Sequence, residues 1–365
     1  MINIDTIERL ADKFDVPLED ALFISMNTQG VSFECDYNRM RMAFRLDDSK
    51  LFAYAKGRNE MEYYFALPVI KDSPFVLNKD NRVMLENTVI GQAVGVTEDI
   101  CDSNYPRRKG TSLNINPNTR TGCHGCAPCY TGYQVPHDRK RLEGEADLEE
   151  FFEEWMAKYG FTSLSHLIQV SVVTGCYKCN KAVSSFLLLL RQVLKKYAFT
   201  GRIFYLGSQV ITRDQLEILV EAQPLGICYS LETFERREEL LRKDKASLTL
   251  QDACDSMDNA MELGFEVNFT CIVGLESLKT MEYHFRHFSQ HINKFPTINT
   301  LQLHKMHASD IIHSSARRLM YFLEARKMLE EIFLSTNLRP LVWEDYRSLW
   351  FLKFGNESLL GIRTP

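Results

Sequence analysis

The chain has 365 residues, of which 45% are hydrophobic and 25% charged, and a formal net charge of −5. That composition is the profile of an ordinary soluble globular protein, with length for one large domain or one large and one smaller. The mild acidity excludes an extended nucleic-acid footprint, and local basic runs such as Arg139-Lys140-Arg141 read as solvated faces. No signal-peptide pattern and no 18-residue apolar run is evident, so no membrane contact is expected. Ten cysteines without a secretory leader point to a reducing cytoplasm.

Along the chain, helical periodicity over residues 6–14 and 18–26 leads into strand-like pieces at 31–35, 40–45, 51–55, 62–69 and 82–85. This texture predicts a small α+β accessory domain over residues 1–110, ending in the polar, turn-rich stretch 102–110. The pattern then becomes regular. Strands are expected at 112–116, 167–173, 203–206, 226–231, 267–273 and 300–304. Helices are expected between them at 147–158, 181–196, 213–222, 250–263 and 281–292. Strands alternating with helices of this length imply βαβ units, a parallel sheet and right-handed crossovers. Six such units are too few for a closed eight-unit barrel, so the expectation is an α/β fold with a partial (βα)6 barrel over residues 111–310. A C-terminal extension over 311–365 follows, a helix at 315–335 and then an aromatic and charged segment. In such folds the chemistry gathers at the carboxyl ends of the strands.

The loop after the first barrel strand reads Cys123-His124-Gly125-Cys126-Ala127-Pro128-Cys129, with Tyr130 directly after. Thiols this close have poor bridging geometry, and an odd number leaves one over, so a disulfide framework is excluded. A soft metal suits them. Three ligands fall one short of a closed zinc site or a fully ligated [4Fe–4S] cluster, and an incompletely ligated cluster has an iron able to bind something else. A zinc site remains the alternative, with His124 or His137 as fourth ligand, or with Cys176-Tyr177-Lys178-Cys179 as a second knuckle. The other strand ends carry small or ionisable residues. These are Thr174-Gly175-Cys176, then Gly207-Ser208-Gln209, then Ser230-Leu231-Glu232, then Val273-Gly274-Leu275-Glu276, then His304-Lys305-Met306-His307. A carboxylate such as Glu232 at the end of an apolar strand needs a partner, either a hydroxyl or cation of a site or a structural arginine.

With these residues the chain resembles the radical S-adenosylmethionine (SAM) superfamily, over about residues 111–310. The resemblance implies that Cys123, Cys126 and Cys129 hold a [4Fe–4S] cluster whose open iron binds SAM, which is then cleaved reductively to start radical chemistry. It further implies SAM contacts by Thr174 and Gly175 (amino group), Ser230 and Glu232 (ribose and methionine), Val273 (adenine), and Tyr130, Ser208 and Gln209. The polar run holding Arg236, Arg237, Arg242 and Lys245 would supply a cation for the SAM carboxylate, with Arg242 and Lys245 the chosen candidates. An electron donor such as flavodoxin or ferredoxin is implied, and oxygen sensitivity. The element order is similar to that of the biotin synthase and methylornithine synthase branch. The spacing departs from the usual pattern: both gaps are two residues, and Pro128 stands where an aromatic residue usually precedes the last cysteine. This leaves open which sulfur–carbon bond is cleaved, and with it transfer of a 3-amino-3-carboxypropyl fragment. The expected substrate is a small polar metabolite or amino acid, undergoing rearrangement, insertion or group transfer. A peptide docked on the N-terminal domain, and a non-enzymatic zinc or iron–sulfur module, are the alternatives. Candidate substrate contacts are His304 and His307, which share a strand face, and Tyr346 and Arg347 in the C-terminal segment, where Trp343 and Trp350 would help cover the barrel opening.

Overall fold

The computed structural model describes residues 2–48, 51–54, 62–100, 104–107, 110–117, 125–130, 142–304, 310–340 and 347–359. The chain divides into two compact units, one of residues 1–100, 271–289 and 297–364, the other of 101–270 and 290–296.

The first unit opens with α1 (Ile4–Lys13), whose N-terminus is capped by the Asn3 side chain accepting the N–H of Thr6 at 2.9 Å. Helix α2 (Leu18–Gln29) is buried from Glu19 to Asn27. The strands β1 (Arg39–Leu46), β2 (Tyr63–Pro68), β3 (Phe75–Leu77), β4 (Arg82–Leu85) and β5 (Thr88–Glu98) form an antiparallel sheet in the order β2-β1-β5-β4-β3. The expected strand at 31–35 is instead a two-residue seal. Val31 pairs with Val69 beyond β2, and Ser32 pairs with Val76 of β3, so one short segment is bonded to both outer strands. Closing two edges in this way removes sites for unwanted strand pairing. Strands β3 and β5 are absent from the sequence reading. In β5 the alternation is interrupted by Gly91, where a Cβ would lie 2.1 Å from the carbonyl oxygen of Arg45 on the paired strand. A close backbone approach therefore requires the residue that hides the strand pattern. Residues 51–54, expected as strand, carry none.

The second unit holds β6 (Tyr105–Arg107), β7 (Ser112–Ile115), α3 (Glu145–Tyr159), β8 (Gln169–Val173), α4 (Asn180–Lys196), β9 (Arg202–Gly207), α5 (Arg213–Leu219), β10 (Leu225–Glu232), α6 (Arg237–Leu240), α7 (Lys243–Ser247) and α8 (Leu250–Glu262). Strand β11 (Glu266–Val273) follows. Strands β7, β8, β9 and β10 are parallel neighbours, and β6 folds back antiparallel on β7. The polar stretch expected as a boundary thus contributes an edge strand. Strand β10 is buried at every position but its last, as a central parallel strand covered on both faces must be. Helices start where the sequence supplies caps: Thr212 for α5 and Thr249 for α8, each accepting an N–H three residues on.

The remainder of the first unit comprises α9 (Leu278–Phe288), β12 (Thr297–Thr300), α10 (Leu319–Phe333) and the hairpin β13 (Lys353–Phe354) and β14 (Glu357–Ser358). Within the second unit the sheet runs β10-β9-β8-β7-β6, parallel from β7 to β10. This mixed α/β arrangement, strands alternating with helices, is consistent with a partial barrel. The last strand lies at 297–300, not 300–304, since residues 301–304 turn into other contacts given below.

Within the first unit, charge is buried deliberately. Arg326 on α10 donates to Asp20 on α2 at 2.6 Å, to Glu330 at 2.9 Å and to the carbonyl of Leu349 at 3.0 Å. Asp20 in turn accepts the N–H groups of Phe351 and Leu352 at 3.1 and 2.8 Å, and Glu330 accepts the Trp350 indole N–H at 3.0 Å. Phe351 packs edge-on against Phe23 and stacks on Phe65. Trp350, expected at the barrel opening, is wholly buried in this core because Glu330 supplies its hydrogen-bond partner. Its indole packs inside this unit.

Burial alone would raise the Glu330 carboxyl, but Arg326 and Lys327 outweigh it and hold the group below the usual range. Its stabilising contribution is present above the ordinary carboxylate pKa and is lost as pH falls through the lowered value. Replacing Arg326 by Met removes the guanidinium from buried Asp20 and leaves Glu330 with Lys327, and the expected cost is about 3–5 kcal/mol. Urea unfolding at neutral pH measures it; a loss below about 1 kcal/mol contradicts this account of the unit.

Candidate functional site

The cysteine loop ends in a tight turn. The N–H of Cys129 donates to the carbonyl of Cys126 at 2.9 Å, and the N–H of Ala127 donates to the carbonyl of Leu240 at 2.8 Å. The Cys126 sulfur accepts the backbone N–H of Arg242. The turn is thereby anchored, through Ala127 and the Cys126 sulfur, on the segment after β10, the connection that carries α6 and α7. Tyr130 is buried directly behind the turn. Cys123 lies outside the described residues.

That connection is built around one guanidinium. Arg237 is buried and donates to the carbonyls of Leu231 at 2.7 Å, Thr233 at 3.1 Å and Leu248 at 3.2 Å, and also to that of Lys245. It gathers both ends of the loop around itself, and the loop presents Lys245 to the end of β10. The Lys245 ammonium donates to Glu232 at 2.8 Å, and the Thr270 hydroxyl on β11 donates to the other Glu232 oxygen at 3.1 Å. Glu232 has φ +65°, a left-handed conformation that a non-glycine residue adopts only when its surroundings compel it.

The electrostatics follow. Burial pushes the Cys126 thiol up, Lys245 and the Arg242 N–H pull it down, and Cys129 and Glu232 push up again; the balance lies above the ordinary value. Burial opposes the charge on Lys245, yet Glu232, with smaller contributions from the neighbouring sulfurs, more than offsets it, and the ammonium is held above its usual range. Lys245 is thus the counter-charge of Glu232, close to the two sulfurs.

Within the polar run, the Lys245 side chain reaches Glu232. Arg236 donates to Glu239, and Arg242 donates to the carbonyls of Glu239 and Leu241 at 2.9 and 2.8 Å. The Arg242 contribution is its backbone N–H to Cys126.

The neighbouring strand ends offer polar groups. Tyr229 donates to or accepts from Ser256 on α8 at 2.7 Å, so Ser230 points to the opposite face of the sheet. The hydroxyl oxygens of Ser230 and Ser208 are buried and have no hydrogen-bond partner among the described residues. Buried polar atoms without partners are rare in native folds and mark places where a ligand or water belongs. Thr174 and Gly175 are half-buried after β8. Gln209 is buried and bonds to Tyr177 and Asp244. At Gly207 a Cβ would meet the Tyr205 hydroxyl at 2.0 Å, so the glycine makes room for that ring.

The remaining expected residues belong to the first unit. Val273 is buried at the end of β11, and its carbonyl accepts the N–H of Leu301 at 2.8 Å. His304 is buried, with Nε2 3.2 Å from Nη1 of Arg39; Arg39 also donates to Gln302 and Asp99. The Arg347 carbonyl accepts the N–H of Thr300 at 2.8 Å. His307 and Tyr346 lie outside the described residues. The structure thus brings Cys126, Cys129, Glu232 and Lys245 together. Thr270 and Arg237, in the roles they play here, were not foreseen. A hydroxyl inside the apolar strand β11 was the available signal for Thr270, whereas carbonyl clamping by Arg237 leaves none in a sequence.

No family model matches the sequence, and no curated protein matches it. The chain is similar to solved structures of Streptococcus suis SuiB bound to S-adenosylmethionine (16% identity, TM-score 0.44, covering 64% of this chain and 50% of that one). It is also similar to coproporphyrinogen III oxidase HemN from Escherichia coli, a radical SAM enzyme (13%, TM-score 0.37, 57% and 50%). A third is the radical S-adenosylmethionine methyltransferase TsrM from Kitasatospora setae, with tryptophan and a SAM analogue bound (14%, TM-score 0.39, 56% and 38%). The chain spans half or less of the length of each of these proteins. No helix among the described residues is long and apolar enough to cross a membrane.

Proposed function

We propose that this chain is a radical SAM enzyme acting on a small polar metabolite or amino acid, by rearrangement, insertion or group transfer. The observation that carries the reading is the convergence of two thiols of a CxxCxxC run with the Lys245–Glu232 pair at one strand end. The donor set fits the cofactor. Closely spaced cysteines are the ligands of iron–sulfur clusters, and an ammonium beside them offsets part of the cluster's negative charge. Cys123, Cys126 and Cys129 would hold the [4Fe–4S] cluster, and the pocket beside them would take SAM.

When bound, the cluster and SAM together supply one-electron reductive cleavage of a sulfur–carbon bond, with the electron drawn from a donor such as flavodoxin or ferredoxin. The residues of this chain position and shield. Lys245 carries three N–H donors, one of which is engaged by Glu232, so it can fix a carboxylate while keeping its own charge matched. Glu232 is an acceptor for ammonium or hydroxyl groups, oriented by Thr270. The hydroxyls of Ser208 and Ser230 can each donate to and accept from a polar ligand. Arg237, by holding four carbonyls, fixes the connection against which the cysteine turn is seated.

Anaerobic reconstitution of the purified chain is expected to give a brown protein with about four irons. Cys123→Ala, Cys126→Ala and Cys129→Ala should each abolish this content, while Cys176→Ala and Cys179→Ala should retain it. A colourless protein with stoichiometric zinc contradicts the reading. Lys245→Met and Glu232→Gln are each expected to weaken SAM binding about ten-fold or more, the effect of one charge-assisted hydrogen bond, with iron content unchanged. Equilibrium binding to the reconstituted variants checks this; unaltered affinity in both would show that the pair serves the fold alone.

A further inference from the structure

Gln209 follows β9, is 1% exposed, and has its whole side-chain amide engaged. Its Oε1 accepts the N–H of Tyr177 at 2.7 Å, and its Nε2 donates to the carbonyl of the same residue at 3.0 Å. The pairing resembles a rung of a sheet, made by a side chain with the backbone of the loop between β8 and α4. The same Nε2 donates to Asp244 at 2.8 Å. An amide nitrogen has two hydrogens, and both are taken, so Gln209 has no donor for a ligand. Asp244 is the residue before Lys245 on α7. The backbone of Gln209 is fixed in turn, because Gln215, the third residue of α5, donates to its carbonyl at 3.2 Å.

Continuous hydrogen bonding therefore runs from the loop carrying Thr174 and Gly175, through Tyr177 and Gln209, to Asp244. The adjacent Lys245 continues it to Glu232 and Thr270. We propose that Gln209 is a positioning residue. It joins the loop after β8 to α7, so that Thr174, Gly175 and Lys245 reach the site in a fixed mutual register. This deepens the reading of the site as a SAM pocket and rests on it for its functional consequence, although the coupling itself does not require SAM. The chemistry demands an amide. A carboxylate at this position accepts from the Tyr177 N–H but faces two acceptors, the Tyr177 carbonyl and Asp244, with nothing to donate.

The test uses Gln209→Glu, the double variant Gln209→Glu/Asp244→Asn, and Asp244→Ala. Hydrogen exchange is followed by mass spectrometry on the full chain without additions. In Gln209→Glu, exchange should rise about ten-fold or more in peptides covering both 174–179 and 240–248, with α8 unchanged. In the double variant the new amide at position 244 can donate to the new carboxylate, so protection of 240–248 should return. If Gln209→Glu does not fold, Asp244→Ala asks the question from the other side, and exchange at 174–179 must rise with that at 240–248. Independent responses of the two peptides, or no rescue in a folded double variant, overturn the proposal. On reconstituted protein, Gln209→Glu should bind SAM about ten-fold more weakly at unchanged iron content, with affinity recovered in the double variant. Should the parent chain bind no SAM, the functional reading fails, while the exchange measurement still decides the role of Gln209.

Discussion

A charge taken out of water needs a partner, and the ammonium of Lys245 finds it in the Glu232 carboxylate. It meets Glu232 at 2.8 Å and stands in the field of Cys126 and Cys129. The rest of the local structure is arranged to deliver that ammonium. Glu232 accepts a left-handed backbone so that its carboxylate turns toward Lys245 and Thr270. Arg237 pulls the connection after β10 into a loop around its guanidinium, and the cysteine turn is seated on that loop through Leu240 and Arg242. Removing the cation would take from Glu232 the ammonium that it meets at 2.8 Å, next to the cysteine turn.

The buried pair in the other unit shows how a purely structural arrangement differs. Arg326 and Asp20 are enclosed, and both are saturated by backbone groups of the C-terminal segment, by Glu330 or by each other. Lys245 remains partly exposed, with 22% of its side chain accessible, and among the described residues makes one side-chain hydrogen bond for three donors. Two ion pairs of similar length thus differ in setting: one is fully buried, the other keeps a partly exposed ammonium.

The parallel series was legible because each of its strands is a short apolar run between helices with clear caps, as at Thr212 and Thr249. Strand β5 was hidden by Gly91, which the neighbouring backbone requires. The segment at 31–35 reads as a strand from composition, yet only Val31 and Ser32 pair, because their role is to seal two edges. At the site, the residue types were readable and their partners were not. Glu232 announced itself as a carboxylate on an apolar strand, and four cations followed it, but choosing Lys245 among them depends on how Arg237 folds the loop. Trp350 misled because an aromatic beside charges suits a rim and a core equally well, and only Glu330, distant in sequence, shows that it is core.

The central claim is that the cysteine turn and the Lys245–Glu232 pair form one site, in which a cluster and SAM bind side by side. The most direct measurement is electron–nuclear double resonance on the reduced, reconstituted protein, with SAM carrying nitrogen-15 in its amino group. The account predicts a nitrogen hyperfine coupling that changes with the isotope, showing the amino group on the cluster's open iron. A reduced cluster whose spectrum is indifferent to the labelled SAM would contradict it.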